Sequence, residues 1–168
     1  DKYKKLGAVP LAMSYGFDGK SVYFSQPLKW EKKKQIVVKL EPNGNILFPK
    51  ELSELSQVLR PASFAFDGKG NTLMTWTDET LPRLKAIYTL MAADGTVGKE
   101  EMIANDTAAV LYAEPVHPPK GFAIFYSIAN PFGQADSEIR LKQFNDRSDK
   151  VVYQGVDVSG FDLERLKD

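Results

Sequence analysis

Residues that could catalyse a reaction or bind a metal are few in this sequence and lie far apart. There is one histidine, His117, and no cysteine, which excludes disulfides and thiolate metal sites. A lone histidine is more often structural than catalytic, and we expect a structural role for His117. The repeated "DGK" at Asp18 and Asp67 offers too few oxygen ligands for an EF-hand-type calcium loop. We therefore predict no metal and no cofactor.

Sequence motifs of the common enzyme classes are also missing. The chain has no Gly-x-Ser-x-Gly nucleophile elbow, no P-loop and no His-Glu-x-x-His zinc pair. The stretch "DGKGNTLMTW" contains residue types of a sialidase Asp-box, but in the wrong order. Enzymatic activity therefore has no positive support in the sequence.

Three long, irregular segments contain the best candidates for ligand binding. They read "QPLKWEKKK", "DETLPRLK" and "ANPFGQADS", and they carry large side chains that turn formation does not require. Tryptophan and arginine are over-represented in binding hot spots. The structural alternative is that the tryptophan packs on its own sheet and the phenylalanine fills a gap between sheets. The candidate ligand-binding residues are Trp30, Lys29, Lys32, Arg83, Asn130, Phe132 and Gln134.

Charge in this chain is local rather than global. The 22 basic and 22 acidic side chains balance, so no overall field favours nucleic acid or an anionic membrane. No apolar run reaches the length of a membrane span. Lys32 belongs to a run of lysines near Lys29 that suits a phosphate, an acidic glycan or an acidic protein surface. The alternative is a solvated edge that discourages sheet pairing.

An internal repeat predicts the elements that would position these segments. Three copies share a proline, a turn glycine, an aromatic residue followed by a hydroxyl residue, and a second apolar run, at nearly constant spacing. A period of about 40 to 50 residues is typical of propellers and solenoids. The landmarks are Pro10, Pro61 and Pro115; Gly19, Gly68 and Gly121; Phe24-Ser25, Trp76-Thr77 and Tyr126-Ser127; and Ile36, Ile87 and Ile139.

Each copy is predicted to be a four-stranded antiparallel meander, because short β-branched and aromatic runs alternate with Asp-Gly and Asn-Gly turns. Runs such as "FAIFYSI" are apolar at nearly every position, which predicts burial on both faces of a sheet. Helix is a minor component, at "PKELSELSQVL" and "SGFDLERLKD". In the first copy we expect strands at Leu11–Tyr15, Ser21–Ser25, Gln35–Leu40 and Asn45–Pro49.

The stretch "PLAMSYGFDGKSVYFSQ", followed by "QIVVKLEPNG", resembles the blade repeat of TolB-like (PD40-type) β-propellers. The second copy resembles it equally through "FDGK" and Trp76-Thr77, whereas the third has Pro119 in place of the turn aspartate. The resemblance spans roughly residues 8 to 155. It implies a propeller scaffold and a bacterial, extracytoplasmic location, either periplasm or cell surface, but it does not imply one particular function.

The predicted fold is all-β and propeller-like, with about three four-stranded blades in a single domain over residues 1–168. The repeats span about 8–54, 55–108 and 109–158, and a tail covers 159–168. Three blades are too few to close a ring. We expect either a half-ring completed by another chain, a fragment of a longer polypeptide, or an arc sealed by irregular segments. The start at Asp1 rather than Met indicates that an upstream segment was removed.

The predicted function is a non-enzymatic binding module that holds a protein or glycan on the face of the long connections, since functional loops on a rigid scaffold are long and irregular. One alternative is the propeller part of a larger hydrolase, either a prolyl-oligopeptidase-like peptidase or a glycoside hydrolase, with catalytic residues elsewhere. Another is a structural repeat that associates with itself. No nucleic acid partner is expected.

Overall fold

Tight turns at aspartate, asparagine and glycine divide the chain into antiparallel hairpins. The computed structural model describes residues 13–27, 35–47, 61–78, 85–104, 109–129 and 137–155. These residues form the strands β1 (Ser14–Phe17), β2 (Val22–Pro27), β3 (Gln35–Leu40), β4 (Ile46–Leu47), β5 (Ser63–Phe66), β6 (Thr72–Asp78), β7 (Lys85–Met91), β8 (Glu101–Met102), β9 (Ala109–Val116), β10 (Ala123–Ala129), β11 (Ser137–Gln143) and β12 (Asp149–Gly155).

The strands pair in chain order into three antiparallel sheets of four strands each. We call β1–β4 the first sheet, β5–β8 the second and β9–β12 the third. The prediction of an all-β chain built from three four-stranded meanders is thus confirmed for the described residues, which contain no helix. Both predicted helices lie outside those residues. The described segments accordingly include no helix with the length and apolarity that crossing a membrane requires.

Strand positions in the first sheet agree with the prediction to different degrees. Strand β3 has the predicted bounds, but β1 runs on to Phe17 and β2 begins at Val22. The predicted end of β1 at Tyr15 is therefore wrong. The reason is that Asp18 closes the turn by accepting hydrogen bonds from the backbone N–H groups of Lys20 and Ser21, so strand pairing continues to the residue before it.

An apolar core lies between the first and second sheets. Tyr23 and Val37 of the first sheet pack with Met74, Trp76 and other residues of the second sheet. The Tyr23 ring lies 4.8 Å from that of Phe66, in a tilted arrangement. Since alternate residues of a strand point to opposite faces, Phe24 and the residues that share its side point away from the second sheet.

A separate apolar core joins the second sheet to the third. Leu73 and Tyr88 of the second sheet pack with Ile124 and Tyr126 of the third. Lys142 also reaches across from the third sheet, and its Nζ donates a hydrogen bond to the carbonyl of Ile103 at 2.9 Å. Contacts between strands of different sheets run from β1 to β5 and from β9 to β5, β6 and β7. The sheets therefore stack in chain order.

The second sheet is covered on both faces. Every residue from Thr72 to Thr77 is buried, with Met74 and Trp76 in the core toward the first sheet and Leu73 in the core toward the third. For β6, which has a sheet on each side, this burial agrees with the prediction for apolar runs without alternation. The run "FAIFYSI", on which the prediction was made, lies mostly in β10, and each of its residues is buried or half-buried.

Candidate functional site

The tight turns of the first two sheets lie at one edge and satisfy their own polar groups. Asp18 accepts hydrogen bonds from the N–H groups of Lys20 and Ser21 at 2.8 and 2.6 Å, and from the hydroxyl of Tyr23 at 3.1 Å. Burial raises the pKa of Asp18, but its hydrogen bonds outweigh burial, so the net pKa is lowered. This carboxylate is ionised and fully occupied with its own turn.

Asp67 closes the equivalent turn of the second sheet. It accepts hydrogen bonds from the N–H groups of Lys69 and Asn71 at 2.7 and 3.0 Å, and one from the Asn71 side chain at 2.5 Å. Burial raises its pKa, while the bonds from Asn71 and Lys69 lower it more. The prediction that Asp18 and Asp67 stabilise turns through bonds to their own backbone is confirmed.

The first turn of the third sheet uses a different device at the same edge. Gly121, at a φ of +110°, donates its N–H to the carbonyl of Pro118 at 3.0 Å, which closes the turn without an aspartate side chain. His117 is exposed, and its ring stands edge-on to Phe122 at 5.0 Å. No group in this turn is arranged to activate a nucleophile.

The opposite edge carries the long connections that the sequence marks for binding. At this edge, Pro27 pairs with Gln35 in the first sheet and Asp78 pairs with Lys85 in the second. In the third sheet, the edge lies near the pair Ile128 and Glu138. The strand ends that flank residues 28–34, 79–84 and 130–136 therefore lie at one edge of the three stacked sheets. All seven predicted binding residues lie outside the described residues, and their placement stays a prediction: Trp30, Lys29, Lys32, Arg83, Asn130, Phe132 and Gln134.

A cluster of charged side chains surrounds Tyr126 in the third sheet. The Tyr126 hydroxyl donates to Asp149 Oδ2 at 2.6 Å, and Arg140 Nη1 lies 3.9 Å from Asp149 Oδ1. Arg140 Nε also donates to Glu138 at 2.8 Å. Burial, together with the bond to Asp149, raises the pKa of Tyr126 well above its ordinary range. A tyrosine held neutral by such partners is a structural hydrogen-bond donor, not a nucleophile.

The strongest surface feature of the described residues lies outside the seven candidate binding residues and is the outer face of the first sheet. Tyr15 is 77% exposed and Phe17 is 62% exposed. The described residues of this face carry no charged side chain. The sequence carries a signal for this face, since apolar residues occupy both sets of alternating positions in β2 and β3, and the two sets point to opposite faces of the sheet. The residues of this outer face are Met13, Tyr15, Phe17, Val22, Phe24, Gln26, Ile36, Val38, Leu40 and Ile46.

The third sheet also has an outer face, on the side away from the second sheet. Phe125 pairs with Leu141 and with Glu114 on this face. Glu114 lies on the first strand of this sheet, next to β5, and its carboxylate also reaches Ser63 of the second sheet. Burial raises the pKa of Glu114, and the hydrogen bonds from Ser63 and Tyr112 lower it less. The outer face of the third sheet consists of Tyr112, Glu114, Val116, Ala123, Phe125, Ser127, Ile139, Leu141, Gln143, Lys150 and Tyr153.

Comparison of the chain with family models, curated proteins and solved structures gives no match. Within the described ranges, no three His, Cys, Asp or Glu side chains lie close enough together to hold a metal ion.

Proposed function

We propose that this chain is a non-enzymatic binding module of the β-propeller type, in which the three sheets are consecutive blades. Three features support the proposal. The sheets stack in chain order, the first strands β1, β5 and β9 lie next to one another, and the second sheet is buried on both faces. Radial stacking of four-stranded meanders about their first strands is the propeller arrangement. The location that goes with this proposal is extracytoplasmic and bacterial.

The observation that carries the binding role is the difference between the two edges of the stacked sheets. At the tight-turn edge, the Asp18 and Asp67 carboxylates are bonded to their own turns. At the other edge lie the strand ends that flank the three long connections. Convergent loops on a rigid scaffold are the usual site of recognition. The aromatic, arginine and lysine residues of these connections suit a protein or a glycan as the partner.

A binding experiment tests this proposal by changing one residue in each long connection, namely Trp30, Arg83 and Phe132. The wild-type chain is screened on an array of neutral and acidic bacterial surface glycans and against purified surface proteins, and the best ligand is titrated by calorimetry. The triple variant Trp30→Ala/Arg83→Ala/Phe132→Ala should bind at least about 30-fold more weakly, since hot-spot residues each contribute about 2 kcal/mol.

The matched control changes the tight-turn edge instead, in the variant Lys20→Ala/Lys69→Ala/Lys120→Ala. It should bind as the wild type does. Full affinity in the first variant, or equal losses in both, would remove the long-connection edge as the binding surface.

Self-association is a second candidate role, and the outer face of the first sheet specifically favours it. Exposed apolar patches of this kind on a folded chain mark interaction surfaces. Tyr15 and Phe17 are the most exposed large apolar residues of the described chain. A propeller blade from the same or another polypeptide would cover them. The hydrolase alternative gains no such observation from the described residues.

A further inference from the structure

The outer face of the first sheet resembles a face that is buried elsewhere in the chain. In the first sheet, the third residue pair from the turn is Tyr15 with Phe24. In the second sheet, the third pair is Phe64 with Met74. That pair faces the first sheet, and Met74 is fully buried there. At this position the second sheet carries large apolar side chains that meet the sheet before it, and the first sheet carries large apolar side chains too. No described sheet precedes the first one, and Tyr15 is 77% exposed.

On the opposite side of the first sheet, and likewise of the second, a hydroxyl group bonds to the backbone of the next sheet. The N–H of Ala62 donates to Ser25 Oγ at 2.8 Å, and Thr75 Oγ1 donates to the carbonyl of Ala113 at 3.0 Å. Both backbone groups lie in or just before the first strand of the following sheet.

We propose that two copies of this chain associate head to tail, with the outer face of the first sheet of one copy packed on the outer face of the third sheet of the other. This contact repeats between copies the packing that joins consecutive sheets within the chain. Each copy supplies three sheets, so two such contacts close a ring of six, within the range of closed propellers. The inference rests on the propeller-type stacking proposed above.

The two outer faces are chemically suited to each other. The centre of the third sheet's face is apolar at Phe125 and Leu141, while Glu114 and Lys150 lie on the two outermost strands. The first sheet's face has no charge among its described residues. Contact between them removes apolar surface from water.

The first test is the mass of the wild-type chain in solution, measured by sedimentation velocity over a range of concentrations. We expect a species of twice the 18.8 kDa chain mass, with no larger series. A monomer at every concentration would overturn the inference and leave the face to another part of a longer polypeptide. An open-ended series of larger species would overturn the closed ring.

The second test uses exposed residues whose replacement spares the core. The variant Tyr15→Asp/Phe17→Asp should form the dimer roughly 100-fold more weakly, because two central apolar contacts become charged. The control is Leu47→Asp, since Leu47 is 47% exposed in the same sheet but pairs with Lys39 on the other face. It should associate as the wild type does. Circular dichroism checks that both variants fold. A Tyr15→Asp/Phe17→Asp chain that still dimerises refutes the assigned interface.

Ligand titration with the Trp30 variant is a separate measurement, so a monomer that still binds its ligand overturns this inference alone.

Discussion

At the scale of single residues, each sheet contains a buried tyrosine whose hydroxyl donates to a carboxylate of the same sheet. Tyr88 donates to Glu101 Oε2 at 2.6 Å, as Tyr126 does to Asp149, and Tyr23 donates to Asp18. The ring fills the core between sheets, and the polar end finds its partner at the boundary. Burial raises the pKa of all three tyrosines.

These pKa shifts predict how stability depends on alkaline pH. A raised pKa in the folded chain favours the neutral hydroxyl. The stabilising contribution is therefore complete below the ordinary tyrosine pKa of about 10 and is lost as pH rises through the raised folded values. In an ultraviolet titration of the seven tyrosines, Tyr88 and Tyr126 should ionise only as the chain unfolds.

The controls for this titration are the denatured chain and a single variant. In guanidinium all tyrosines should titrate together, and Tyr126→Phe should reduce the late fraction by one residue. If every tyrosine of the folded wild type ionises in one ordinary step, the hydroxyl–carboxylate pairs do not form.

At the scale of elements, Gly16 in β1 permits the close approach of the first two sheets. A Cβ atom at this position would lie 2.9 Å from Phe66 Cε2 and 3.1 Å from Phe64 Cβ. Both distances are shorter than ordinary van der Waals contact, and Phe66 belongs to the ring cluster around Tyr23. Gly16 is therefore required by packing between sheets, and not by an unusual backbone conformation.

The substitution Gly16→Ala should destabilise the chain by about 1–3 kcal/mol, the usual cost of overpacking a well-packed core. Urea unfolding measures this change. Phe66→Leu makes room for the added methyl group, so the double variant should be more stable than the sum of the two single effects predicts. Strict additivity would show that the two residues do not meet.

The strands were predictable where local chemistry alone decides them. The apolar run from Gln35 to Leu40 predicts β3 at its observed bounds, whereas the end of β1 depends on the side-chain bonds of Asp18. The apolar pattern of β2 and β3 predicts the outer face that includes Tyr15, but the exposure of this face depends on which sheet lies beside it. For the candidate binding site, sequence spacing predicts only the shared edge, since convergence of Trp30 and Arg83 depends on long-range packing.

At the scale of the whole molecule, both apolar cores include the second sheet. Met74 belongs to the core with the first sheet, and Leu73, the next residue back along the same strand, belongs to the core with the third. Loss of order in this sheet therefore removes packing from both neighbours at once. We expect the described sheets to unfold as one cooperative unit, with β6 as the best-protected strand.

Hydrogen exchange measures this expectation directly. The amides of β6 should exchange slowest, and those of β12, whose residues are almost all exposed, should exchange fastest. Leu73→Ala should cost about 2–4 kcal/mol and lower protection in the third sheet as well as the second. Protection lost from the second sheet alone would mean that the sheets unfold independently.

The sheets differ in how they end, and this difference sets where the chain is prone to aggregate. Strands β4 and β8 have two residues each, but β12 has seven, with Val152 49% and Tyr153 56% exposed. A long apolar edge strand is a template for adding foreign strands. The bulge opposite Ile139 and Arg140, with Asp149 and Lys150 beside it, opposes such growth. Protection against fibril-like assembly therefore depends on a few residues at the rim of the third sheet, far from the buried cores.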